Sequence, residues 1–361
     1  MNSSLFLRAL MLPALVITTF ATGRAAEPVV AAVALRDSPA IHLEGKDHQT
    51  FDALHIQEDA SVTLSHCSDI TISCCNVHSV ELVECARVTI RNCWIHDSAR
   101  CGVQTYHCRD LVVEGCRLEH VATGVYAIDS QDIQVTGNFG RNVQGPFPRG
   151  QLAQFDNVSG AHCAIRGNYA INDASQSNPE DVINIYQSKG EAGAPILIED
   201  NYLVGDPVKG SAGKSKTGSG IMLGDVGGTH LLCRRNVVLS AGQVGIGVAG
   251  GTFINVEDNL ILGGRSDVSN NGLYAWNQSK APSHHVVIAR NRVSWFDRNG
   301  EETSWWNGGG IADQTLTDNQ FADESLASAI PAPPSEAPFP PHPYVTTDTA
   351  GHGVIRLPWK P

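Results

Sequence analysis

The chain has 361 residues, with 37 acidic against 25 basic side chains and a formal net charge of −12. With so few cations, scattered rather than clustered, a nucleic-acid partner is excluded, because phosphate binding needs a basic stripe. The longest apolar run, near the N-terminus, falls short of the roughly 20 residues that span a membrane, so no membrane span is expected.

Residues 1–25 read as an export signal. Arg8 supplies the positive end, Ala9 to Ala21 the apolar stretch, and Ala21, Gly23, Ala25 and Ala26 the small residues a signal peptidase needs. The mature chain is expected to be periplasmic or extracellular. Residues 26–66 alternate weakly, as in Ala40-Ile41-His42-Leu43, and are expected to form an N-terminal cap and a first coil.

From Cys67 onward the chain repeats itself. CSDITISCC (67–75), CARVTIRNC (85–93), CRDLVVEGC (108–116) and SQDIQVTGN (130–138) share one length and one alternation. Following the last residue of each copy gives a ladder: Cys75, Cys93, Cys116, Asn138, Asn168, Asn201, Asn236, Asn259, Asn291 and Asn319. Its intervals are 18, 23, 22, 30, 33, 35, 23, 32 and 28 residues. A fixed landmark with variable spacing describes coils of one solenoid whose loops differ. The segments are short, alternating and rich in Val, Ile, Leu and Thr, which excludes helical repeats. One Asn or Cys at the same corner of every coil stacks at the strand separation and satisfies buried polar groups along the axis. The fold expected over 67–321 is therefore an all-β, single-domain parallel β-helix of about ten coils. The cysteine columns suit stacked free thiols and inter-coil disulfides alike. After Phe321 a run of prolines from Pro331 to Pro343 predicts an extended or disordered tail over 322–361, lying along the outside.

A second strand precedes the laddered one in each coil. Aligned copies put Val103, Val125, Leu152, Ile183, Ile221, Ile246 and Leu273 inward. The alternation then turns Tyr106, Phe155, Tyr186 and Trp276 outward in one row, with Tyr126 and Tyr274 in the next. Flat rings along an exposed wall suit the apolar faces of sugars. His107, Asp129, Asp156, Gln187, Asp225 and Asn277 follow, one per coil, at the next turn.

The coils and their Asn corner resemble the right-handed parallel β-helix proteins of the pectate-lyase-like superfamily, over about residues 40 to 321. The segments GSGIMLGDVGG (218–228), GQVGIGVAGG (242–251) and NGLYAWNQ (271–278) are similar to those of secreted bacterial members. The resemblance implies a polysaccharide ligand and lyase, hydrolase or epimerase chemistry. The sequence lacks the pectate-lyase calcium and arginine signature, the paired aspartates of polygalacturonases and the DPHD motif of alginate epimerases.

The row after the aromatic wall holds the chemistry expected of such a protein. Asp156 lies one coil from Asp129 and two coils from Asp225, spacings of about 5 and about 10 Å, which bracket the carboxyl separations of glycoside hydrolysis. Asp is also a common turn residue that bonds its own backbone. Elimination from a uronate needs a neutralising cation, a base and an acid. Arg149 suits the first or second role, Lys189 the second, Tyr186 or His107 the third, and Asp156 with Asp225 a divalent cation such as calcium. Glu180 and Asp181 form a second acid pair, placed behind the others because a six-residue strand spans about 20 Å. The expectation is an exported monomer that binds a polysaccharide and cleaves it, lyase ahead of hydrolase. The catalytic set is Asp156, Asp225, Lys189, Arg149 and Tyr186. The alternative is a non-catalytic glycan-binding or cell-envelope scaffold.

Overall fold

The computed structural model describes residues 35–57, 61–146, 148–173, 176–177, 180–205 and 218–336, together with the short strands Tyr344–Thr347 and Gly353–Arg356. The export signal, part of the expected cap and much of the tail lie outside the described residues. The described residues belong to one unit, Val33–Pro361.

Short alternating segments separated by left-handed corner residues wind into three parallel sheets of twelve, eleven and eleven strands. Each sheet takes every third strand, so one coil contributes one strand to each wall. The winding is right-handed, as strand–crossover–strand connections are when neighbours pair in parallel. The first strands, Arg36–Ser38 and Ile41–Glu44, already pair with the coil that follows, to Leu54–Ile56 and Val62–Ser65. The inward side chains of all three walls merge into one core running from Ile56 to Trp295.

The amide ladder occupies the corner foreseen for it. Asn201 is representative: its Nδ2 donates to Ile165 O at 2.9 Å and to Asn236 Oδ1 at 2.9 Å, while its Oδ1 accepts the backbone N–H of Asn168 at 3.0 Å. Toward the N-terminus sulfur takes over the same position. The backbone N–H of Cys116 donates to Asn138 Oδ1 at 2.9 Å, that of Cys93 to Cys116 Sγ at 3.5 Å, and that of Cys75 to Cys93 Sγ at 3.4 Å. All ten cysteines are free thiols. A thiol here is both a small apolar core group and a long-range acceptor for the strand below.

The wall that faces the expected site runs through Val103–Tyr106, Val125–Ile128, Ala153–Asp156, Ile183–Tyr186, Ser219–Asp225, Val244–Val248, Asn271–Trp276 and Trp305–Gly309. Its register aligns Val103, Val125, Ala153, Ile183, Ile221, Ile246 and Leu273. Six of the seven expected inward residues hold their places, and the coil at 151–156 is shifted by one residue. Ala153 replaces Leu152, which is instead buried at the corner against Gly140. The slip carries Phe155 inward, where it is 0 % exposed, and turns Asp156 outward. Physically this is the better register, because the larger apolar ring is buried and the carboxylate is wet. Phe155→Ala is expected to destabilise the protein by about 3–5 kcal/mol, as a core cavity does. Denaturant unfolding measures this, and a surface ring at the same position would cost well under 1 kcal/mol.

The tail departs from the extended expectation at both flanks of its proline run. Leu326–Ala329 form a helical turn that buries Leu326, and Tyr344–Thr347 pair antiparallel with Gly353–Arg356. Proline bars regular structure only where it stands. Over residues 331–336 the chain does lie along the outside. Pro331 O accepts the Tyr202 hydroxyl at 3.3 Å, and the Glu336 carboxylate lies 3.4 Å from Arg117.

Candidate functional site

Two outward rows cross this wall. The first reads Gln104, Tyr126, Gln154, Asn184, Met222, Gly247, Tyr274 and Trp306. The second reads Tyr106, Ile128, Asp156, Tyr186 and Asp225 on successive coils, with Trp276 further along. Asp225 enters the row through a bulge at Gly224, whose φ of +64° and close approach to Gly250 O leave no room for a side chain.

The expected aromatic wall keeps exposed rings at its two ends, with the half-buried Tyr186 in the row between them. Tyr106 and Trp276 are each 41 % exposed, and six coil steps, about 29 Å, separate them. Trp306, 40 % exposed, joins Trp276 at 5.6 Å between ring centroids, a partner the sequence reading passed over. Phe155 belongs to the core, as shown above. Tyr126 and Tyr274 face the right way but are buried. The Arg149 guanidinium lies 4.1 Å above the ring of Tyr126. Tyr274 is laid flat over Gly247, where a Cβ would meet its ring at 2.6 Å.

Between the rings the wall is polar and acidic. Asp156 Oδ2 accepts the Tyr126 hydroxyl at 2.7 Å, and Arg149 donates to that hydroxyl at 3.1 Å and to Gln154 Oε1 at 2.8 Å. One coil on, the Asn184 amide donates to Asp181 Oδ2 at 2.8 Å and to Asp225 Oδ2 at 3.2 Å. Asp181 also accepts the backbone N–H of Ser219 at 2.5 Å, and Glu180 accepts from Gln151 Nε2 at 3.0 Å. Tyr274 completes the floor, its hydroxyl accepting from Gln278 at 2.8 Å.

The second acid pair thus joins the first. Strand length sets Asp181 far from the end of its own strand, but its side chain folds forward to the amide three residues ahead, while Asp225 reaches back to the same amide. A signal for this was present in the sequence, in the Asp-x-x-Asn spacing of DVIN, which places a donor within reach of the acid.

Burial dominates the electrostatics. It lifts the Glu180 carboxyl to about 7, helped by the neighbouring charges of Asp181 and Asp225. It lifts Asp181 to about 6 against the opposing hydrogen bonds from Ser219 and Asn184, and it raises Asp225 as well. The Tyr126 phenol is pushed up to about 12, by burial first and then by its bond to Asp156.

Other expected site residues fall outside this cluster. His107, Asp129 and Gln187 occupy the left-handed corner, with φ of 52°, 47° and 50°. Asp129 bonds Asn157 at 2.6 Å, the turn role that competes with catalysis for any such aspartate. Lys189 lies past that corner, bridging Ser159 and Thr229 on the adjacent wall, because it stands three positions after Tyr186, where the chain has already turned. Asn277 anchors the loop after its strand, accepting from Ser279 at 3.1 Å and donating to Ala281 O at 2.9 Å. That loop and Asp225 line a groove of about 470 Å³. Asp156 and Asp225 do not suit a calcium ion. Tyr186 stands between them in register, and among the described residues no three His, Cys, Asp or Glu side chains are grouped to hold a metal.

Residues 39–192 match the family profile of the right handed beta helix region. Among solved structures, a periplasmic alginate epimerase aligns at a TM-score of 0.50 and 11% identity, over 81% of this chain and 79% of that one. The catalytic domain of a GH87 alpha-1,3-glucanase aligns at 0.43 and 10% identity, over 80% and 64%. The Azotobacter vinelandii mannuronan C-5 epimerase A-module aligns at 0.41 and 12%, over 75% and 76%. No curated protein matches the sequence. The fold is a right-handed parallel β-helix. No helix among the described residues is long and apolar enough to cross a membrane.

Proposed function

We propose that this right-handed parallel β-helix is an exported enzyme that cleaves a polysaccharide laid along the wall between Tyr106 and Trp276, by hydrolysis at Glu180 and Asp225. The observation that carries this reading is the network of Glu180, Asp181 and Asp225, with Glu180 held protonated up to about pH 7. A carboxylic acid that keeps its proton near neutrality is what a glycosidic leaving oxygen requires. Glu180 is the general acid. Asp225, half-buried at the mouth of the groove, is the base or nucleophile. Asp181, fully buried, positions Asn184 and through it Asp225.

Tyr106 at one end and Trp276 with Trp306 at the other serve as stacking platforms for outlying sugar rings. Arg149, Tyr126 and Asp156 form one rigid polar unit beside the acids that orients the chain being cut. The order of mechanisms expected from sequence, elimination ahead of hydrolysis, is reversed in this proposal. Elimination calls for cations facing a uronate, whereas Lys189 lies on another wall and Arg149 is already bound to Gln154 and Tyr126. The fold neighbours named as an alginate epimerase and an alpha-1,3-glucanase keep a glycan ligand in view.

Incubation of the pure protein with a panel of neutral, amino and uronate polysaccharides tests this. New reducing ends without the ultraviolet absorbance of an unsaturated uronide are expected. Absorbance would assign elimination instead, and retention on a glycan without any product would leave the wall as a scaffold surface.

A further inference from the structure

Gln151 stands one coil before Glu180 and has no exposed surface. Burial at that depth requires partners for both ends of its amide, and both are present. Its Oε1 accepts the Thr123 hydroxyl at 3.1 Å, and that hydroxyl, equally buried, accepts the Gly150 backbone N–H at 3.1 Å. Its Nε2 donates to Pro148 O at 3.0 Å and to Glu180 Oε2 at 3.0 Å.

The direction of these bonds is set without reference to Glu180. Pro148 O can only accept, so the amide nitrogen must face it, and turning the amide over would set two oxygens against each other. The Thr123 hydroxyl has one proton and gives it to Gln151 Oε1, while a lone pair takes the Gly150 N–H. Of the two amide hydrogens of Gln151, one goes to Pro148 O and the second is left for Glu180 Oε2. That oxygen meets a donor whether Glu180 is charged or neutral. A neutral carboxyl with one oxygen held in this way carries its proton on the other.

We propose, resting on the reading of Glu180 as the general acid, that Gln151 is its positioning residue: oriented by Thr123 and Pro148, it pins Glu180 Oε2 and confines the transferable proton to Oε1. The acid then offers its proton from one defined atom, on a carboxyl that cannot turn over. Among the described residues, burial and then the charges of Asp181 and Asp225 favour the neutral form of Glu180, whereas Arg149 and the Gln151 bond favour the charged one. Removing the Gln151 donor at constant volume therefore raises the pH at which Glu180 loses its proton.

NMR of the carboxyl carbons of the full chain, titrated without substrate, reads this directly, with the Glu180 signal assigned by its absence from Glu180→Gln. Gln151→Met is expected to move the wild-type midpoint of about 7 upward by about one to two pH units, the worth of one hydrogen bond to a charged group. On the cleaved polysaccharide the same variant is expected to lose about tenfold or more in kcat at pH 5, where Glu180 is neutral in both proteins, with KM unchanged. Thr123→Val is expected to shift the midpoint the same way by less, and Thr123→Ser, which keeps the hydroxyl, to restore the wild-type value. This pair carries the test where Gln151→Met does not fold. A midpoint that stays in place in the folded variants, with kcat still lost in Glu180→Gln, would overturn the proposal alone and reduce Gln151 to a packing residue. Wild-type kcat in Glu180→Gln would remove the general-acid reading and the proposal together.

Discussion

Glu180→Gln is expected to lower kcat on the cleaved polysaccharide by about 10²- to 10⁴-fold while leaving the unfolding transition nearly unchanged at pH 5, where the folded Glu180 is already neutral. Glutamine keeps the hydrogen-bonding shape offered to Gln151 but cannot deliver a proton. The wild-type rate is expected to follow a bell in pH. Its alkaline limb falls near pH 7, where Glu180 loses its proton, and its acid limb lies where Asp225 gains one. In Glu180→Gln the alkaline limb near pH 7 disappears. A variant that keeps the wild-type rate, or keeps that limb, would take the general-acid role away from Glu180. Because the same group is raised above its unfolded value of about 4.3, the sign of its contribution to stability is also set. Between that value and 7 the folded chain holds more protons than the unfolded one, so Glu180 and Asp181 make the fold more stable as pH falls through this window. Urea unfolding at pH 5 and pH 7.5, compared between wild type and Glu180→Gln, reads that contribution as a difference in midpoint shift.

The largest loss of stability from a polar residue is expected at the centre of the amide ladder. Asn236→Ala removes the group that accepts the Asn201 backbone N–H at 3.1 Å, accepts Asn201 Nδ2 at 2.9 Å, and donates to Ile198 O at 2.9 Å. At least two buried backbone groups are left unpaired at about 1–3 kcal/mol each, so a loss of roughly 3–5 kcal/mol is expected. Asn138→Cys should cost less, because Cys116 and Cys93 already show sulfur accepting the same N–H one and two coils earlier. Chemical denaturation of both variants gives the comparison. Equal destabilisation would mean that shape, rather than hydrogen bonding, decides what occupies this corner.

That contrast reflects what each kind of information carries. The repeat, the strand alternation and the ladder were legible in the sequence because each is local: an Asn or Cys closes every strand, and inward residues recur at a period of two. Asp156 and Asp225 were legible as acids two coils apart, but at the turn after the wall; the slip at 151–156 and the bulge at Gly224 set them on the wall itself. Their separation by one strand, which carries Tyr186, followed from counting coils.

What the residues alone left undecided were matters of register, reach and cover. Whether Leu152 or Ala153 faces inward depends on how a long loop delivers the chain to the wall, and both choices leave an apolar residue buried; packing of the Phe155 ring against neighbouring coils settles it. Whether Lys189 belongs to the site depends on where the corner falls, and the left-handed turn at Gln187 sends it to another wall. Asp181 and Asp225 lie 44 positions apart, and only the coil-to-coil pairing of Ile183 with Ile221 lets one Asn184 amide hold both. The strand pattern of this chain is thus written in its own side chains. The acid cluster exists only because stacking at about 4.8 Å makes neighbours of residues from separate coils and buries them together, and burial is what raises their proton affinity.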